Sequence, residues 1–312
     1  MVDSKKSWKA WLYLSPAIVL LLVFTVWPIF NTIRMSLLEG YSTMESGVRT
    51  FNFGIKNFVD VIKYPGFLRC LKNTMLLCVL TVPISTFLAL LIAVCLNAIK
   101  PLQRLLQTIF FLPYVTNSIA IGMVFAAMFN MVGTAFGGEN ELIITAGIIN
   151  NVIEFFGGQP INWINSGSSY AANITLMVVY IVWNALPFKI LILLGGLQSV
   201  NKQYYDAAKV DGTSRVRVFT RITVPLLSPM LAYVIITGFI GGFKEYSSIV
   251  GIFGDKMGPA GEAGKLNTMV GYIYDALGNQ EGRASAAALI LFAIIFVVTM
   301  INLYVSKKKT HY

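Results

Sequence analysis

Six long apolar stretches, separated by polar segments, constrain this chain more than any other feature. A transmembrane helix needs about 20 predominantly apolar residues, and within a bilayer backbone groups find partners only inside helices and closed barrels. We therefore predict an all-α membrane protein in which residues 1–312 form a single transmembrane domain. The predicted spans cover approximately residues 10–33, 71–99, 105–131, 171–197, 222–253 and 284–305.

The composition supports a membrane location and excludes a soluble nucleic-acid-binding protein. Hydrophobic residues make up 56% of the chain and charged residues only 12%, which is too apolar for a soluble domain of this length. A net charge of +10 would suggest a nucleic-acid partner in a soluble protein. Here the Lys and Arg residues flank the apolar stretches, where they orient helices and meet lipid headgroups. We expect the lipid bilayer, and no nucleic acid, as a partner.

The basic residues are distributed asymmetrically, and this predicts the orientation of the chain. Lysines precede the first span and follow the last, at Lys307–Lys309, whereas residues 133–170 contain no Lys or Arg. Because cytoplasmic segments are enriched in Lys and Arg, both termini are predicted to be cytoplasmic. The apolar stretch at residues 142–156 is too short to span, and we expect an interfacial or tucked helix there.

A polar segment between the fourth and fifth spans, residues 203–221, is called here the basic loop. Its first part is predicted to be a short helix that ends at Asp211-Gly212, because glycine adopts the left-handed conformation at little cost. A hydroxyl residue that follows can cap a second short helix, and Pro225 marks the start of the next span. Two short helices that meet at a glycine form a projection that a partner's cleft could hold.

The basic loop resembles the cytoplasmic coupling loop of the permease subunits of binding-protein-dependent ABC importers. That loop follows an E-A-A-x-x-x-D-G-type pattern with a Phe, an Ile and a Pro downstream. The chain departs from it by mild changes in size at Asp206, Thr213 and Val224, where Glu, Ala and Leu are usual. The residues that the resemblance implies couple this chain to an ATPase are Asp206, Ala207, Ala208, Asp211, Gly212, Phe219, Ile222 and Pro225.

Other passages resemble the carbohydrate-uptake branch of that family, the maltose, multiple-sugar and glycerol-phosphate type. They include Leu14–Pro16 and Trp27-Pro28 in the first span, Phe110–Pro113 in the third, and Tyr272–Leu291 near the sixth. The resemblance implies a type I ABC importer permease fold with six transmembrane helices and a cytoplasmic coupling helix between spans 4 and 5. It also implies that the chain forms half of the translocation path for an oligosaccharide or related carbohydrate.

The resemblance also implies a set of partners in the cytoplasmic membrane of a prokaryote. They are a second permease subunit, expected to be a distinct homologue, two ATPase subunits and an extracellular solute-binding protein. This chain is expected not to be an enzyme and to bind no cofactor, with ATP and Mg held by the ATPase subunits. Its phosphate-loop-like stretch, Gly258–Leu266, lacks the required Gly at Pro259 and the required Ser or Thr at Leu266. A single histidine, His311, cannot form a metal site alone.

Polar residues inside the predicted spans are candidates for the solute path, because polar groups at membrane depth are costly and often functional. Asn184 and Lys189 flank Pro187 in the fourth span, and Lys244-Glu245 interrupts the fifth. By resemblance to sugar permeases, the candidates to face the solute are Asn184, Phe188, Lys244, Glu245 and Tyr246.

The charged pair Lys244-Glu245 leaves the solute class open. Neutral amides are expected to face a neutral sugar, so the pair fits a charged or unusually polar solute. It also fits an ion pair, or a lysine that extends to the membrane interface. The alternatives are therefore an ABC permease for a polyamine, amino acid, phosphate ester or acidic sugar, and an ion-coupled secondary transporter.

Overall fold

The structure, a computed structural model, describes residues 7–43, 51–99, 103–131, 134–136, 142–144 and 147–309. Both chain ends, whose cytoplasmic location is predicted, and His311 lie outside these residues. The described chain falls into two compact units. The first unit comprises the residues up to Phe67 together with Tyr272–Ala293, and the second comprises Leu68–Gly271 together with the residues from Ile294 onward.

Helices make up most of the described chain. In chain order they are α1 (Ser7–Leu21), α2 (Trp27–Leu37), α3 (Lys56–Lys63), α4 (Pro65–Ala98), α5 (Gln103–Val115), α6 (Ser118–Phe129), α7 (Ile148–Phe155), α8 (Tyr170–Ser199), α9 (Lys202–Val210), α10 (Arg215–Val218), α11 (Val224–Leu226), α12 (Ser228–Phe243), α13 (Ser247–Phe253), α14 (Met269–Ala276) and α15 (Glu281–Lys309). Two π-helical turns, Leu22–Val26 and Phe219–Thr223, join α1 to α2 and α10 to α11. The predicted helical fold is confirmed.

Four helical stretches are long and apolar enough to cross a bilayer, and they contain the first, second, fourth and sixth predicted spans. They are Trp8–Leu37, Pro65–Ala98, Tyr170–Ser199 and Glu281–Lys307. Interior prolines such as Pro83 and Pro187 do not end these helices, since neighbouring groups in a membrane bundle can satisfy the freed backbone. Half of the most apolar part of α4 and of α8 is buried within the chain, so these two helices form the centre of the second unit.

The third and fifth predicted spans are bent rather than straight. Gln107–Val115 and Ser118–Phe129 meet at 103°, and Arg215–Leu226 and Ser228–Phe243 meet at 68°. The described helices therefore give four candidate spans, or six if each bent pair counts as one. The fifth predicted span, residues 222–253, also begins earlier than expected and is interrupted again between α12 and α13.

Local chemistry explains both bends. The Asn117 side chain accepts hydrogen bonds from the backbone N–H groups of Ile119 at 2.8 Å and Ala120 at 3.4 Å, so it caps α6 and starts that helix in a new direction. Pro229, in the first turn of α12, has no N–H to donate to the preceding turn. These breaks fall inside stretches that hydropathy alone marks as continuous.

The segment between α6 and α8 differs from the predicted helix over residues 142–156. Residues Leu142–Ile144 form strand β2, which pairs antiparallel with strand β1, Thr134–Phe136. Helix α7 begins only at Ile148, because Gly147 is extended and its N–H donates to the carbonyl oxygen of Asn130 at 2.7 Å. This short strand pair is an addition to the predicted all-α fold.

In the first unit, hydrogen bonds to backbone groups join the end of α2 to the residues at the start of α3. Leu38 and Phe53 form an isolated antiparallel bridge. The buried Asn57 amide donates to the carbonyl oxygens of Ser36 at 3.0 Å and Leu38 at 2.7 Å. Each bond satisfies a polar group that would be costly to bury unpaired, so Asn57 joins the start of α3 to the end of α2.

The same unit contains a polar cavity of about 470 Å³. Its wall includes the ion pair between Arg283 and Asp60, whose N–O distance is 3.1 Å, and the edge-to-face rings of Tyr41 and Phe51. Beside it, Glu281 at the start of α15 accepts hydrogen bonds from the backbone N–H and hydroxyl of Thr43.

Two clusters of buried apolar side chains form the core of the second unit. The first joins α4, α8 and α13 and includes Leu77, Leu176, Met177, Tyr180 and Ile249. The second lies further along α4 and α8, beside the end of the basic loop, and includes Ala89, Ala93, Leu193, Leu194 and Leu227. The Tyr180 hydroxyl donates to the carbonyl oxygen of Ser118 at 2.5 Å, which satisfies the one polar group of that buried ring.

Helices α6 and α13 approach each other closely at a pair of glycines. A Cβ atom placed on Gly122 would lie 2.7 Å from the Cα of Gly251, and one placed on Gly251 would lie 3.0 Å from the Cα of Gly122. No side chain fits between two backbones at that distance. This contact therefore requires glycine on both helices.

Candidate functional site

The basic loop contains the two short helices that the sequence predicts, α9 and α10. Asn201 caps the start of α9, because its side chain accepts the backbone N–H of Gln203 at 3.0 Å. Helix α10 follows Ser214, which has an extended backbone but makes no capping hydrogen bond through its side chain.

The bend between the two helices is fixed by backbone hydrogen bonds around Gly212. Gly212 has a φ of +62°, in the left-handed region. Its N–H donates to the carbonyl oxygen of Lys209, and the N–H of Thr213 donates to that of Ala208. This pair of bonds is the Schellman C-cap, in which glycine is favoured at the left-handed position. The Asp211-Gly212 stop signal predicted from the sequence is confirmed.

The exposed residues of the basic loop surround this bend. Asp206, Ala207, Asp211 and Gly212 are exposed, whereas Ala208 is only 4% exposed. Asp206 pairs with Lys209 at 3.2 Å on the surface, where such a pair contributes little stability. Large apolar side chains are also exposed near the bend, and they are Tyr204, Val210 and Val216. This mixture of apolar and basic side chains leaves a surface that a protein partner could cover.

The second half of the basic loop is anchored to the membrane helices. Phe219 and Val224 pack against the second core cluster, and Thr223 is buried with its hydroxyl 3.4 Å from that of Tyr205. Ile222 is half-buried and Pro225 is exposed. The loop therefore combines a projecting bend with a base held in the core.

Adjacent alanines in α9 offer a matched pair of substitutions. Ala208→Leu is expected to lower the melting temperature of the isolated chain, because overpacking a buried position typically costs about 1–3 kcal/mol. Ala207→Leu adds the same side chain at an exposed position and should leave that temperature within about 1 °C. Thermal unfolding in detergent, followed by intrinsic fluorescence, measures both, and equal shifts would contradict the burial of Ala208.

A cavity of about 290 Å³, called here the central cavity, lies halfway along α8 in the second unit. It is bounded by α4, α5, α8, α12 and the break that follows α12. One wall carries the stacked rings of Tyr114 and Phe188, whose centroids are 5.8 Å apart. The polar lining residues are Thr81, Ser85, Asn184, Lys189, Thr237 and Glu245.

The buried ammonium of Lys189 joins α8 to α4 at this cavity. Lys189 is 4% exposed, and its Nζ donates to Ser85 Oγ at 2.7 Å, Thr86 Oγ1 at 2.9 Å and the carbonyl oxygen of Val82 at 3.2 Å. All three acceptors are on α4. A buried polar head that is fully hydrogen-bonded in this way holds two helices in one register.

The remaining candidate residues, Lys244, Glu245 and Tyr246, lie in the break between α12 and α13. Glu245 is half-buried and lines the central cavity, and its Oε1 accepts the N–H of Ser248 at 3.2 Å. Lys244 is exposed and lies outside the lining of the cavity. Tyr246 packs against the first core cluster. In the described part of the chain, no group of three or more His, Cys, Asp or Glu side chains could hold a metal ion.

Of the predicted path residues, the structure therefore brings Asn184, Phe188 and Glu245 to one cavity and leaves Lys244 and Tyr246 outside its lining. Their contact with a solute stays a prediction. The sequence marked Lys189 as a polar residue at membrane depth but did not place it among the residues facing the solute, and it did not mark Ser85 at all. The signal for Lys189 was its position, a lysine halfway along an apolar span. A serine in such a span gives no comparable signal, since most serines there bond to their own helix.

Helices long enough to cross a membrane surround the central cavity, an arrangement typical of a membrane transport component. Residues 81–311, which include both the central cavity and the basic loop, match the binding-protein-dependent transport system inner membrane component family, and the chain belongs to that family.

Similar proteins cover nearly the whole chain. The lactose transport system permease protein LacF of Rhizobium radiobacter is 29% identical over 293 residues, which are 94% of this chain and 91% of that protein. The arabinooligosaccharides transport system permease protein AraP of Halalkalibacterium halodurans is 31% identical over 297 residues, which are 94% of this chain and 86% of that protein. A chain of a bacterial ABC transporter involved in the import of the acidic polysaccharide alginate has the same fold, with a TM-score of 0.76 at 20% identity and 98% of both chains covered.

Proposed function

We propose that this chain is a permease subunit of an ATP-driven importer and forms half of the path for an oligosaccharide or related carbohydrate. The observation that carries the proposal is the family match, which covers the basic loop and the central cavity together. Relatives named for the transport of lactose and arabinooligosaccharides support the carbohydrate class. The stacked rings and polar side chains of the cavity suit a sugar, which presents apolar ring faces and hydroxyl groups.

In this proposal the two bent pairs each cross the membrane once, so the chain has six spans and both termini in the cytoplasm. The positive-inside distribution of Lys and Arg supports that orientation. The basic loop then lies in the cytoplasm, and the polar segment of the first unit lies outside. All 312 residues act as one transmembrane domain in the cytoplasmic membrane of a prokaryote.

Two ATPase subunits are proposed to drive transport, each pressing on one coupling loop. ATP and Mg bind to those subunits, and this chain performs no chemistry. Motion of the bend at Gly212 would pass through Phe219 to the second core cluster, and from there to the helices that border the central cavity. A solute cannot drive its own uphill transport, because it shifts a conformational equilibrium only by its differential affinity. ATP binding and hydrolysis supply the free energy that favours one conformation of the transporter in each nucleotide state.

A second permease subunit, expected to be a distinct homologue, completes the path, and a solute-binding protein delivers the solute from outside. The solved alginate ABC transporter has been crystallised in complex with an alginate pentasaccharide-bound periplasmic protein, which supports a delivery step of this kind. We place the docking of the binding protein on the outer segments. The polar cavity of the first unit, with its Arg283–Asp60 pair, offers groups for that contact.

The test is reconstitution of this chain in liposomes with the second permease, ATPase and binding protein of its own transport system. We expect uptake of radiolabelled lactose or arabinotriose that requires ATP on the ATPase side. Uptake driven by an ion gradient without any ATPase would overturn the proposal in favour of a secondary transporter. ATP-driven uptake of a polyamine, amino acid or phosphate ester, and of no saccharide, would instead establish the charged-solute alternative, which the presence of Lys189 and Glu245 in one cavity motivates.

A further inference from the structure

Helix α7 has an apolar side that the described part of the chain leaves exposed. Ile148, Val152 and Phe155 are spaced i, i+4 and i+7, so they lie on one side of the helix, and Phe156 follows at its end. These four residues are called here the apolar face of α7. Phe155 is 85% exposed and Phe156 82% exposed, and their rings meet edge to face with centroids 5.4 Å apart. A cluster of large apolar side chains at such exposure marks a surface that has a partner.

A second side of α7 is attached to the rest of the second unit. Ile149 packs against the first core cluster, and the buried side chain of Asn150 makes three hydrogen bonds. Its amide nitrogen donates to the Ile161 carbonyl at 3.0 Å, and its oxygen accepts the N–H of Ile161 at 3.0 Å and the indole N–H of Trp163 at 3.1 Å. These bonds fix the rotation of α7 about its own axis, so the apolar face is turned away from the core.

The third side of α7 is polar. Asn151 and Glu154 are both exposed there, and Glu154 is the only charged residue between positions 147 and 170 of the sequence. With 3.6 residues per turn, the apolar face lies between this polar side and the side attached to the core. One apolar and one polar exposed side is the pattern of a helix that lies in the plane of a membrane interface.

The start of α8 places α7 at the height of that interface. Helix α8 has 30 residues and is therefore about 45 Å long, which exceeds the hydrocarbon core of about 30 Å, so its first turn reaches the headgroups. Asn173, in that first turn, donates to the carbonyl oxygen of Trp163, whose indole bonds to α7. The Trp163 ring also meets Phe129, the last residue of α6, edge to face at 5.4 Å. Helix α7 is thus held beside the ends of two membrane helices.

We propose that α7 is an interfacial anchor whose apolar face inserts among the lipid acyl chains, in the leaflet that the topology proposed above makes the outer one. Insertion removes the apolar face from water, whereas Asn151 and Glu154 stay hydrated on the polar side. Lipid is already present at this height before any other subunit assembles. The anchor therefore needs no protein partner.

The anchor also fixes the end of α6. The N–H of Gly147, just before α7, donates to the carbonyl oxygen of Asn130 at 2.7 Å. A Cβ atom placed on Gly147 would lie 2.5 Å from the carbonyl oxygen of Met128, so the two backbones are in direct contact. The depth of α7 in the leaflet therefore determines the depth at which α6 ends.

Nitroxide labels distinguish lipid, water and protein at the apolar face. In the complete complex, reconstituted in nanodiscs of phosphatidylethanolamine and phosphatidylglycerol, the exposed native thiol is removed by Cys95→Ser. A cysteine is introduced by Val152→Cys or, as the matched control, by Glu154→Cys, two exposed positions on different sides of α7. Power saturation compares the collision rate of each label with oxygen, which concentrates in lipid, and with a nickel chelate, which stays in water. The Cys95→Ser parent gives the background from the buried thiols.

We expect the oxygen-to-nickel collision ratio at Val152→Cys to exceed that at Glu154→Cys at least about fivefold, because an interfacial helix buries its apolar side about 5–10 Å deep. Adding Phe155→Ser and Phe156→Ser should lower the ratio at Val152→Cys at least about threefold, since half of the apolar face is then lost. The ratio at Glu154→Cys should change little.

Two results at Val152→Cys would overturn the inference. Low collision rates with both reagents would mean that a protein surface covers the apolar face, and frequent collisions with the nickel chelate would mean that water does. Either result is compatible with ATP-driven saccharide uptake, so the importer function would stand. Sidedness is measured separately, by reacting Glu154→Cys in spheroplasts with a membrane-impermeant maleimide, which we expect to label it. A lipid-exposed Val152→Cys with Glu154→Cys unreactive from outside would contradict the proposed topology and leave the anchor standing.

Discussion

Replacing Gly212 by valine is expected to reduce ATP-driven uptake at least tenfold while leaving solute capture by the binding protein unchanged. Gly212 has a φ of +62°, a conformation that costs a side-chain-bearing residue about 1–3 kcal/mol, and a β-branched residue suffers most. Apart from its two chain neighbours, no described residue comes within 4 Å of a Cβ placed on Gly212, so the new side chain would point into the surface proposed for the ATPase. Co-purification of the ATPase with the tagged chain, together with uptake, measures the effect.

Gly157 supplies a control with the same backbone arrangement. It has a φ of +80°, its N–H donates to Glu154 and the N–H of Gly158 donates to Ile153, so it is a second Schellman cap on the segment predicted to be outside. Gly157→Val should cause similar local strain and leave ATPase recovery intact. Asparagine tolerates the left-handed conformation, so the Gly212→Asn variant adds a side chain with little backbone strain. Comparing it with Gly212→Val separates the effect of backbone strain from that of side-chain volume. Normal uptake and ATPase recovery in Gly212→Val would remove the basis for a coupling role.

The second large effect is expected from Gly122→Ala, which should lower the melting temperature of the chain by about 6–12 °C. The added Cβ would lie 2.7 Å and 2.8 Å from two backbone atoms of Gly251, and backbone in the middle of a packed helix cannot move aside as a side chain can. Overpacking costs about 1–3 kcal/mol, and we expect the upper end because the added Cβ would meet backbone atoms of Gly251. For a domain of this size each kcal/mol corresponds to about 2–4 °C.

Gly195→Ala is the matched control for that experiment. Gly195 is also in the interior of an apolar helix, α8, but apart from its chain neighbours and the nearby backbone of α8 no described residue comes within 4 Å of a Cβ placed on it. The substitution should leave the melting temperature unchanged or raise it slightly, since alanine is the better helix former. If the Gly122→Ala and Gly195→Ala variants have the same melting temperature, the close approach of α6 and α13 is not a determinant of stability.

Much of the fold could be predicted because apolar length and turn chemistry act locally. The four long helices follow from hydropathy, and the stop at Gly212 follows from the conformational freedom of glycine. The bend at Asn117 could not be placed in the same way. Asparagine becomes a cap only when the chain has already turned there, and a hydropathy window averages one polar residue away.

The central cavity shows a similar division. Asn184 and Glu245 could be selected because polar residues are rare at membrane depth. Lys244 and Glu245 are adjacent in sequence, yet only Glu245 lines the cavity, because α12 ends at Phe243 and the break turns the two side chains apart. That Lys189 bonds to α4 depends on the packing of helices about 100 residues apart in the chain, which no local pattern encodes.

The π turn at Phe219–Thr223 has a mechanical consequence. Because it joins α10 to α11 without interruption, Arg215–Leu226 is one continuous helical rod about 18 Å long that ends at the 68° bend. A displacement of about 1 Å at its free tip would tilt such a rod by only about 3°. Because a displacement of the tip produces only a small tilt, a flexible tip would absorb the movement of the ATPase. We therefore expect the rigidity of the Gly212 bend, rather than a large movement of the ATPase, to determine how much rotation reaches the 68° bend.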